Sequence, residues 1–200
     1  MEVAIITFDG VDELDVVGPY EVFENAASAG ADLTVTLCTT DRTETVTASH
    51  GLEIGRAVPL TESVPDVLVV PGGQWNARGK TGAWAEAQRG TLPETISRLH
   101  DQGTTVAGVC TGAMLIAHAG LLRGRPSTTH HAAIGELRET GANVINARVV
   151  DDGDLVTAGG VTSGLDLALH LVEREFGADV ATRVSERMEY EPRGQIHDSH

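Results

Sequence analysis

The stretch Thr104–Met114, reading T-T-V-A-G-V-C-T-G-A-M, constrains this chain more than any other. An apolar, β-branched run ends at Cys110, and a helical pattern from Thr111 to Ala117 begins at once. Gly108 and Gly112 bracket the cysteine as G-x-C-x-G. Small residues on both sides let the backbone take the tight, strained strand-to-helix turn of a nucleophile elbow, with cysteine in place of serine. The competing reading of any such residue is a buried structural cysteine. The glycine bracket favours a functional thiol, and Cys110 becomes the candidate chemical centre.

The rest of the chain supplies an architecture for that turn. Val3–Phe8 and Val67–Val70 are continuous apolar runs of strand length, the pattern of strands buried on both faces. Leu33–Cys38 alternates apolar residues with threonine, and residues 41–60, with Gly51 and Gly55, suggest a small hairpin excursion. Asp12–Ala26 has helical spacing interrupted by Gly18-Pro19, which predicts a helix kinked or restarted at Pro19. Residues 74–90 are glycine-rich and irregular, anchored by Trp75 and Trp84. Helices are expected over Leu92–His100, Thr111–Ala119, Ala132–Thr140, Thr162–Phe176 and Ala178–Met188. Short strands are expected at Ser127–His130, Val144–Val150 and Leu155–Thr157. Strands alternating with helices at this spacing predict a mostly parallel sheet covered on both faces. We expect one domain over residues 1–188 and a polar, frayed tail over 189–200.

Composition narrows the setting. Two hundred residues, 41% of them hydrophobic, suffice for one domain with a sizeable core. No apolar run approaches the roughly 20 residues of a membrane span, and the first strand pattern starts at Glu2 with no signal peptide before it. The expectation is a cytoplasmic protein without a membrane partner, and Cys38 and Cys110 read as intracellular thiols. Twenty-nine acidic residues against fourteen basic ones give a net charge of −15, and Lys80 is the sole lysine. Acid spread along the whole chain argues against nucleic acid as a partner. An acidic, lysine-poor, threonine-rich surface resembles that of proteins from salt-accumulating organisms; the alternative is an acidic mesophilic protein kept soluble by its charge.

Ligands of such sheets bind at the carboxyl ends of the strands, beside switch points in strand order. Three strand ends carry candidate residues: Asp9–Asp15, Pro71-Gly72-Gly73 and Cys110. At a helix N-terminus the Cys110 thiol is expected to have a lowered pKa. The amides of Gly72 and Gly73, with that of Thr111, could form an oxyanion hole; the alternative is a tight turn that needs glycine. Spacing alone does not single out Asp15 among Asp9, Asp12, Glu13 and Glu21. His130 or His131 could lie over the thiol as acid, base or orienting group, or be a loop histidine without catalytic duty. No His/Cys/acid spacing matches a metal site, His197 and His200 included, and no cofactor is expected. Cys38 has the default of core packing.

Five motifs in order carry a resemblance over nearly the full length: Leu14–Phe23 (L-D-V-V-G-P-Y-E-V-F), Val69–Gly73 (V-V-P-G-G), Gly108–Ala113 (G-V-C-T-G-A), Gly120–His131 (G-L-L-R-G-R-P-S-T-T-H-H) and Ala158–Asp166 (A-G-G-V-T-S-G-L-D). The chain resembles the ThiJ/PfpI superfamily, related to class I glutamine amidotransferase domains. That resemblance implies a flavodoxin-like α/β fold with a nucleophile elbow at Cys110. It implies that Asp15, four positions before Pro19, touches the cysteine as a protonatable carboxyl. It also implies a homodimer with the site near the interface. Protease-like members have histidine after the cysteine; Thr111 stands there instead and disfavours proteolysis. Cys110-Thr111-Gly112, an aspartate at 15 and Thr128-Thr129-His130 are similar to the isonitrile hydratases, although His131 replaces the aromatic residue often found there. They are also similar to the ligand-binding halves of arabinose-regulator-like transcription factors, whose DNA-binding domain would have to be dispensed with here.

The leading expectation is a cysteine-dependent, isonitrile hydratase-like lyase acting on a small-molecule electrophile. Cys110 would attack an isocyanide carbon to give a covalent thioimidate, Asp15 would shuttle a proton, Thr111 would orient nucleophile or water, and an N-substituted formamide would leave. The alternatives are a redox or stress-response protein with an oxidisable Cys110, a ligand sensor with an inert thiol, and aldehyde or glycation-product chemistry.

Overall fold

The continuous apolar runs become the centre of a sheet, since strands without a polar face must be covered on both sides. The computed structural model describes residues 1–40, 45–55, 57–60 and 64–199. The elements run β1 (Glu2–Ile6), α1 (Glu13–Ser28), β2 (Thr34–Thr39), β3 (Thr45–Thr47), β4 (Glu53–Gly55), β5 (Val58–Pro59), β6 (Val67–Val70), α2 (Ala83–Arg89), α3 (Thr91–Asp101) and β7 (Thr105–Gly108). They continue with α4 (Gly112–His118), β8 (Pro126–Ser127), α5 (Ile134–Glu139), β9 (Asn143–Val144), β10 (Val149–Asp151), β11 (Leu155–Ala158), α6 (Ser163–Phe176), α7 (Ala178–Arg187) and β12 (Ile196–Asp198).

Among the described residues the main sheet has the order β12-β10-β11-β7-β6-β1-β2-β5. Its pairings are parallel except for β10 against β11. The chain leaves β1 for β2 on one side and returns to β6 on the other, so the switch in strand order falls at β1 and β6. Helices flank the sheet: α1, α6 and α7 pack together, as do α2, α3 and α4. This is the flavodoxin-like α/β architecture that the resemblance implied. Val67–Val70 is buried at every position, as are Val3–Ile6. No described helix is long and apolar enough to cross a membrane.

Several expectations change. Helix α1 continues through Pro19, which removes the restart and leaves the other alternative, a proline inside one helix. The helix is held from outside: Gly18 lies against Leu165 and the Pro19 ring against Gly164, both on α6. Residues 74–90 are less irregular than their glycines suggested, with a single 3-10 turn at Trp75–Ala77 followed by α2. The expected hairpin is present as β3 paired antiparallel with β4; positions 41–44 and 56 of that excursion lie outside the described residues.

The tail is the largest correction. It is docked, not frayed: β12 pairs in parallel with β10, and Ser199 N–H donates to the Asp151 carbonyl at 3.0 Å. Asp166, buried on α6, holds the approach to that strand. It accepts from Tyr190 Oη at 2.9 Å, from the Arg193 amide at 2.7 Å and from Arg148 Nε at 2.6 Å. A polar sequence concealed this segment because its anchors are hydrogen bonds rather than apolar side chains. His197 lies in β12, and His200 is outside the described residues.

Candidate active site

Three chain segments that leave the carboxyl ends of β1, β6 and β7 meet at Cys110. The β7 run ends at Gly108, α4 begins at Gly112, and between them Cys110 has φ 56, a left-handed conformation that costs a non-glycine residue on the order of 1–2 kcal/mol. Both backbone groups of the residue are held. Its N–H donates to the Gly159 carbonyl at 3.0 Å, and its carbonyl accepts from Thr129 Oγ1 at 2.8 Å. The strain is therefore over-determined by β11 and by the segment after β8. Gly72 is glycine for close approach: a Cβ there would collide with Thr111 Oγ1 and the Thr111 amide.

Asp15, on the first turn of α1, is fully buried, and its Oδ2 accepts from the Gly72 amide at 2.9 Å. Its Oδ1 has no hydrogen-bond partner among the described residues. Burial, reinforced by the charge of Asp12, pushes the carboxyl up to about 8; the Gly72 amide and the Cys110 thiol pull the other way and lose. Asp15 is thus held neutral at pH 7 against the thiol.

The thiol departs from expectation. Cys110 is 6% exposed, and burial, followed by the Asp15 carboxyl once it ionises, pushes the thiol up to about 12, although the amides of Val161 and Thr111 favour the thiolate. A two-turn helix such as α4 offers too little dipole to offset burial. The resting group is a protonated thiol, not the thiolate that a helix N-terminus promised.

The expected oxyanion donors are also reassigned. The Gly72 N–H is spent on Asp15, and the Gly73 N–H donates to Thr111 Oγ1 at 3.1 Å. The glycines position partners instead of facing an incoming oxygen. The amides aimed at the sulfur are those of Thr111, which had been named, and Val161, which had not. Val161 has φ 23, in the Gly159-Gly160-Val161 turn after β11. Its signal was a glycine pair between a strand and a helix, a pattern that marks a turn without revealing where its amides point.

A cavity of about 230 Å³ opens above the sulfur, lined by Asp12, Trp75, Asn76, Cys110, His130 and Val161 among others. His130 therefore reaches the site. Its Nδ1 accepts from the Ala132 amide at 3.2 Å, and burial and the neighbouring His131 lower its pKa, so the neutral ring carries its proton on Nε2. Gly160 makes room for that ring, since a Cβ there would collide with it. On the far wall, Trp75 Nε1 donates to Glu136 at 3.1 Å, and Arg78 pairs with Glu136 at 2.5 Å while stacking 3.8 Å over Trp84. Spacing had not singled out Arg78 or Glu136. Cys38 is a buried, free thiol on β2, pushed up to about 11 by burial. Among the described residues, no group of three or more His, Cys, Asp or Glu is gathered as metal ligands are.

Comparison with known proteins places this geometry in a lineage. The profile of the DJ-1/PfpI family matches residues 1–174. The chain is 36% identical over 193 residues to the isonitrile hydratase of Pseudomonas putida, covering 96% of this chain and 79% of that protein. It is 33% identical over 147 residues to the HTH-type transcriptional regulator CdhR of Pseudomonas aeruginosa, covering 71% of this chain and 41% of the regulator. The crystal structure of a ThiJ/PfpI family protein from Pseudomonas syringae superposes with a TM-score of 0.84 at 26% identity, over 96% of this chain and 76% of that one. The chain belongs to the DJ-1/PfpI family.

Proposed function

We propose that this protein is a cysteine-dependent enzyme that hydrates an isocyanide, or a closely similar small electrophile, to an N-substituted formamide. The observation that supports this most is the neutral, buried Asp15 carboxyl against the protonated Cys110 thiol on a strained turn. Sulfur bonds to the isocyanide carbon, the same carbon takes a proton from Asp15, and the thiol proton returns to Asp15. The product is a thioimidate with no net charge separated in a dry site. Water then adds its hydroxyl to that carbon and a proton to the nitrogen, and the C–S bond breaks as the C=O bond forms and the hydroxyl proton passes to sulfur, so the Cys110 thiol is regenerated and the formamide leaves. The Thr111 hydroxyl, held by the Gly73 amide, orients the water. The amides of Thr111 and Val161 stabilise charge that develops on sulfur. The kinship with isonitrile hydratase supports the choice of substrate.

The test is the disappearance of cyclohexyl isocyanide, followed by infrared absorption. Loss of signal in the wild type, absent in Cys110→Ala, is the expected result; consumption that survives Cys110→Ala overturns the reading. A homodimer accompanies this reading: Leu14 and Val17, either side of Asp15 on α1, are 37% and 40% exposed and provide apolar surface for such a pairing.

A second reading, reversible or protective oxidation of Cys110, draws on the unpartnered Asp15 Oδ1, which could donate to a sulfinate oxygen. The raised thiol pKa weighs against it, because peroxide reacts with thiolate. A sulfinic mass shift confined to Cys110 under mild peroxide would favour it over hydration.

A further inference from the structure

The cavity above Cys110 has a sign. Asp12 is the one carboxylate on its described lining, and the described lining holds no lysine or arginine. Asp12 is pinned there by two backbone contacts: its Oδ1 accepts from the Leu14 amide at 3.2 Å, and its own N–H donates to the Gly72 carbonyl at 2.9 Å. The charge is therefore fixed where the ends of β1 and β6 converge.

The groups that could neutralise an anion are committed elsewhere. His130 is a neutral ring with Nδ1 already accepting from Ala132. Arg78, one residue past the lining turn, is turned onto Glu136 and Trp84. The Gly72 and Gly73 amides are spent on Asp15 and Thr111. The remaining polar side chains on the lining, Thr111, Gln74 and Asn76, are uncharged. An acidic substituent on a bound electrophile would meet a fixed negative charge and no cation.

We propose that the Cys110 cavity admits neutral and cationic electrophiles and rejects anionic ones, with the Asp12 carboxylate as the discriminating charge. This deepens the proposed function and rests on reading Cys110 as the reacting group; it needs no isocyanide turnover. Asp12 also influences the three titratable groups around it, adding to the raised pKa of Asp15 and Cys110 and opposing the lowering of His130. A rate ratio between two probes of one shape cancels any such change in thiol reactivity.

The experiment compares iodoacetamide with iodoacetate on the full chain, reading alkylation of the Cys110 peptide by mass. Each rate is divided by that for a small free thiol at the same pH. A carboxylate on the lining of the cavity that holds a bound anion predicts a normalised acetate-to-amide ratio lowered roughly tenfold. Asp12→Asn keeps an N-cap on α1 and is expected to restore the ratio to near one. An unchanged ratio in Asp12→Asn overturns the proposal and assigns the bias to the overall charge of −15. Asp12→Ser provides a second N-capping variant without the charge. In the wild type, a 2-aminoethyl methanethiosulfonate is expected to outpace its 2-sulfonatoethyl counterpart; equal normalised rates also overturn the proposal. Failure of isocyanide hydration with the charge bias intact would remove the substrate assignment and leave the selectivity standing.

Discussion

Asp15 and Asp151 are both closed off from solvent, at 0% and 1% exposed, yet the fold treats them in opposite ways. Asp151, at the end of β10, receives His170 Nε2 at 2.6 Å, Arg174 Nη1 at 3.1 Å and the Gly153 amide at 2.9 Å. Burial opposes its charge, but these partners win, and its pKa is lowered. Asp15 has one amide, one thiol neighbour and an orphan oxygen, so burial wins and its pKa rises to about 8. Closure from solvent alone does not decide whether a carboxyl is a structural anion or a neutral acid; its depth and the number of donors that follow it into the interior do. One aspartate anchors the edge of the sheet where the tail docks. The other is left under-satisfied beside the thiol, where a movable proton is useful.

The largest expected effect breaks the site end of the comparison. Cys110→Ala is expected to abolish isocyanide hydration, and Asp15→Asn to lower kcat/KM by about 10³-fold while leaving far-UV circular dichroism unchanged. Asp15→Asn with near-normal turnover would remove the proton shuttle from the mechanism.

Stability gives the comparison its sign. Asp151→Asn takes the counter-charge from Arg174 and weakens the hydrogen bond from His170, and urea unfolding at pH 7 is expected to show a loss of about 3–5 kcal/mol. Asp15→Asn is expected to move the opposite way. A carboxyl whose folded pKa is raised stabilises most below its unfolded pKa near 4 and loses that contribution as pH rises toward 8. Removing it should stabilise the protein at pH 8 by on the order of 3 kcal/mol, with little change at pH 4. Loss of stability in both variants would show that the two carboxyls are not treated differently.

The pH profiles sharpen the same point. Hydration that needs neutral Asp15 should be flat through pH 6–7 and fall as pH passes about 8. Asp151, with its lowered pKa, adds stability above its unfolded pKa that is lost only as pH drops below about 4. Unfolding titrations across pH 3–5 in the wild type and Asp151→Asn would measure that limb directly. The smallest effect belongs to the tail: Tyr190→Phe removes one donor to Asp166 and is expected to cost about 1 kcal/mol, with faster amide exchange at Ile196–Asp198.

Much of the scaffold was legible before the structure. The apolar runs at Val3–Phe8 and Val67–Val70 read as buried strands because two covered faces leave no polar positions to confuse the pattern. G-x-C-x-G marked the turn at Cys110, because a strained strand-to-helix junction tolerates few residue types on either side. Two elements escaped the reading: α2, whose buried face is made largely of small alanines, and β12, whose approach is anchored by side-chain hydrogen bonds. Helix α1 ran on through Pro19 because contacts with α6, distant in sequence, hold it.

The sequence by itself determined most of the strand–helix order, though not α2 or β12, together with the position of the thiol and the motifs that join Asp15, Gly72-Gly73 and Cys110 to one family. Those are properties of local patterning and of residue types a turn will accept. Only the tertiary structure decided the charge state of the thiol and of Asp15, because burial and donor count depend on what other segments bring. It also decided that the Gly72 and Gly73 amides serve Asp15 and Thr111, and that the amide facing the sulfur from across the sheet belongs to Val161. Amide direction is set by φ and ψ in turns such as 159–161, and a glycine pair in a sequence leaves both angles free.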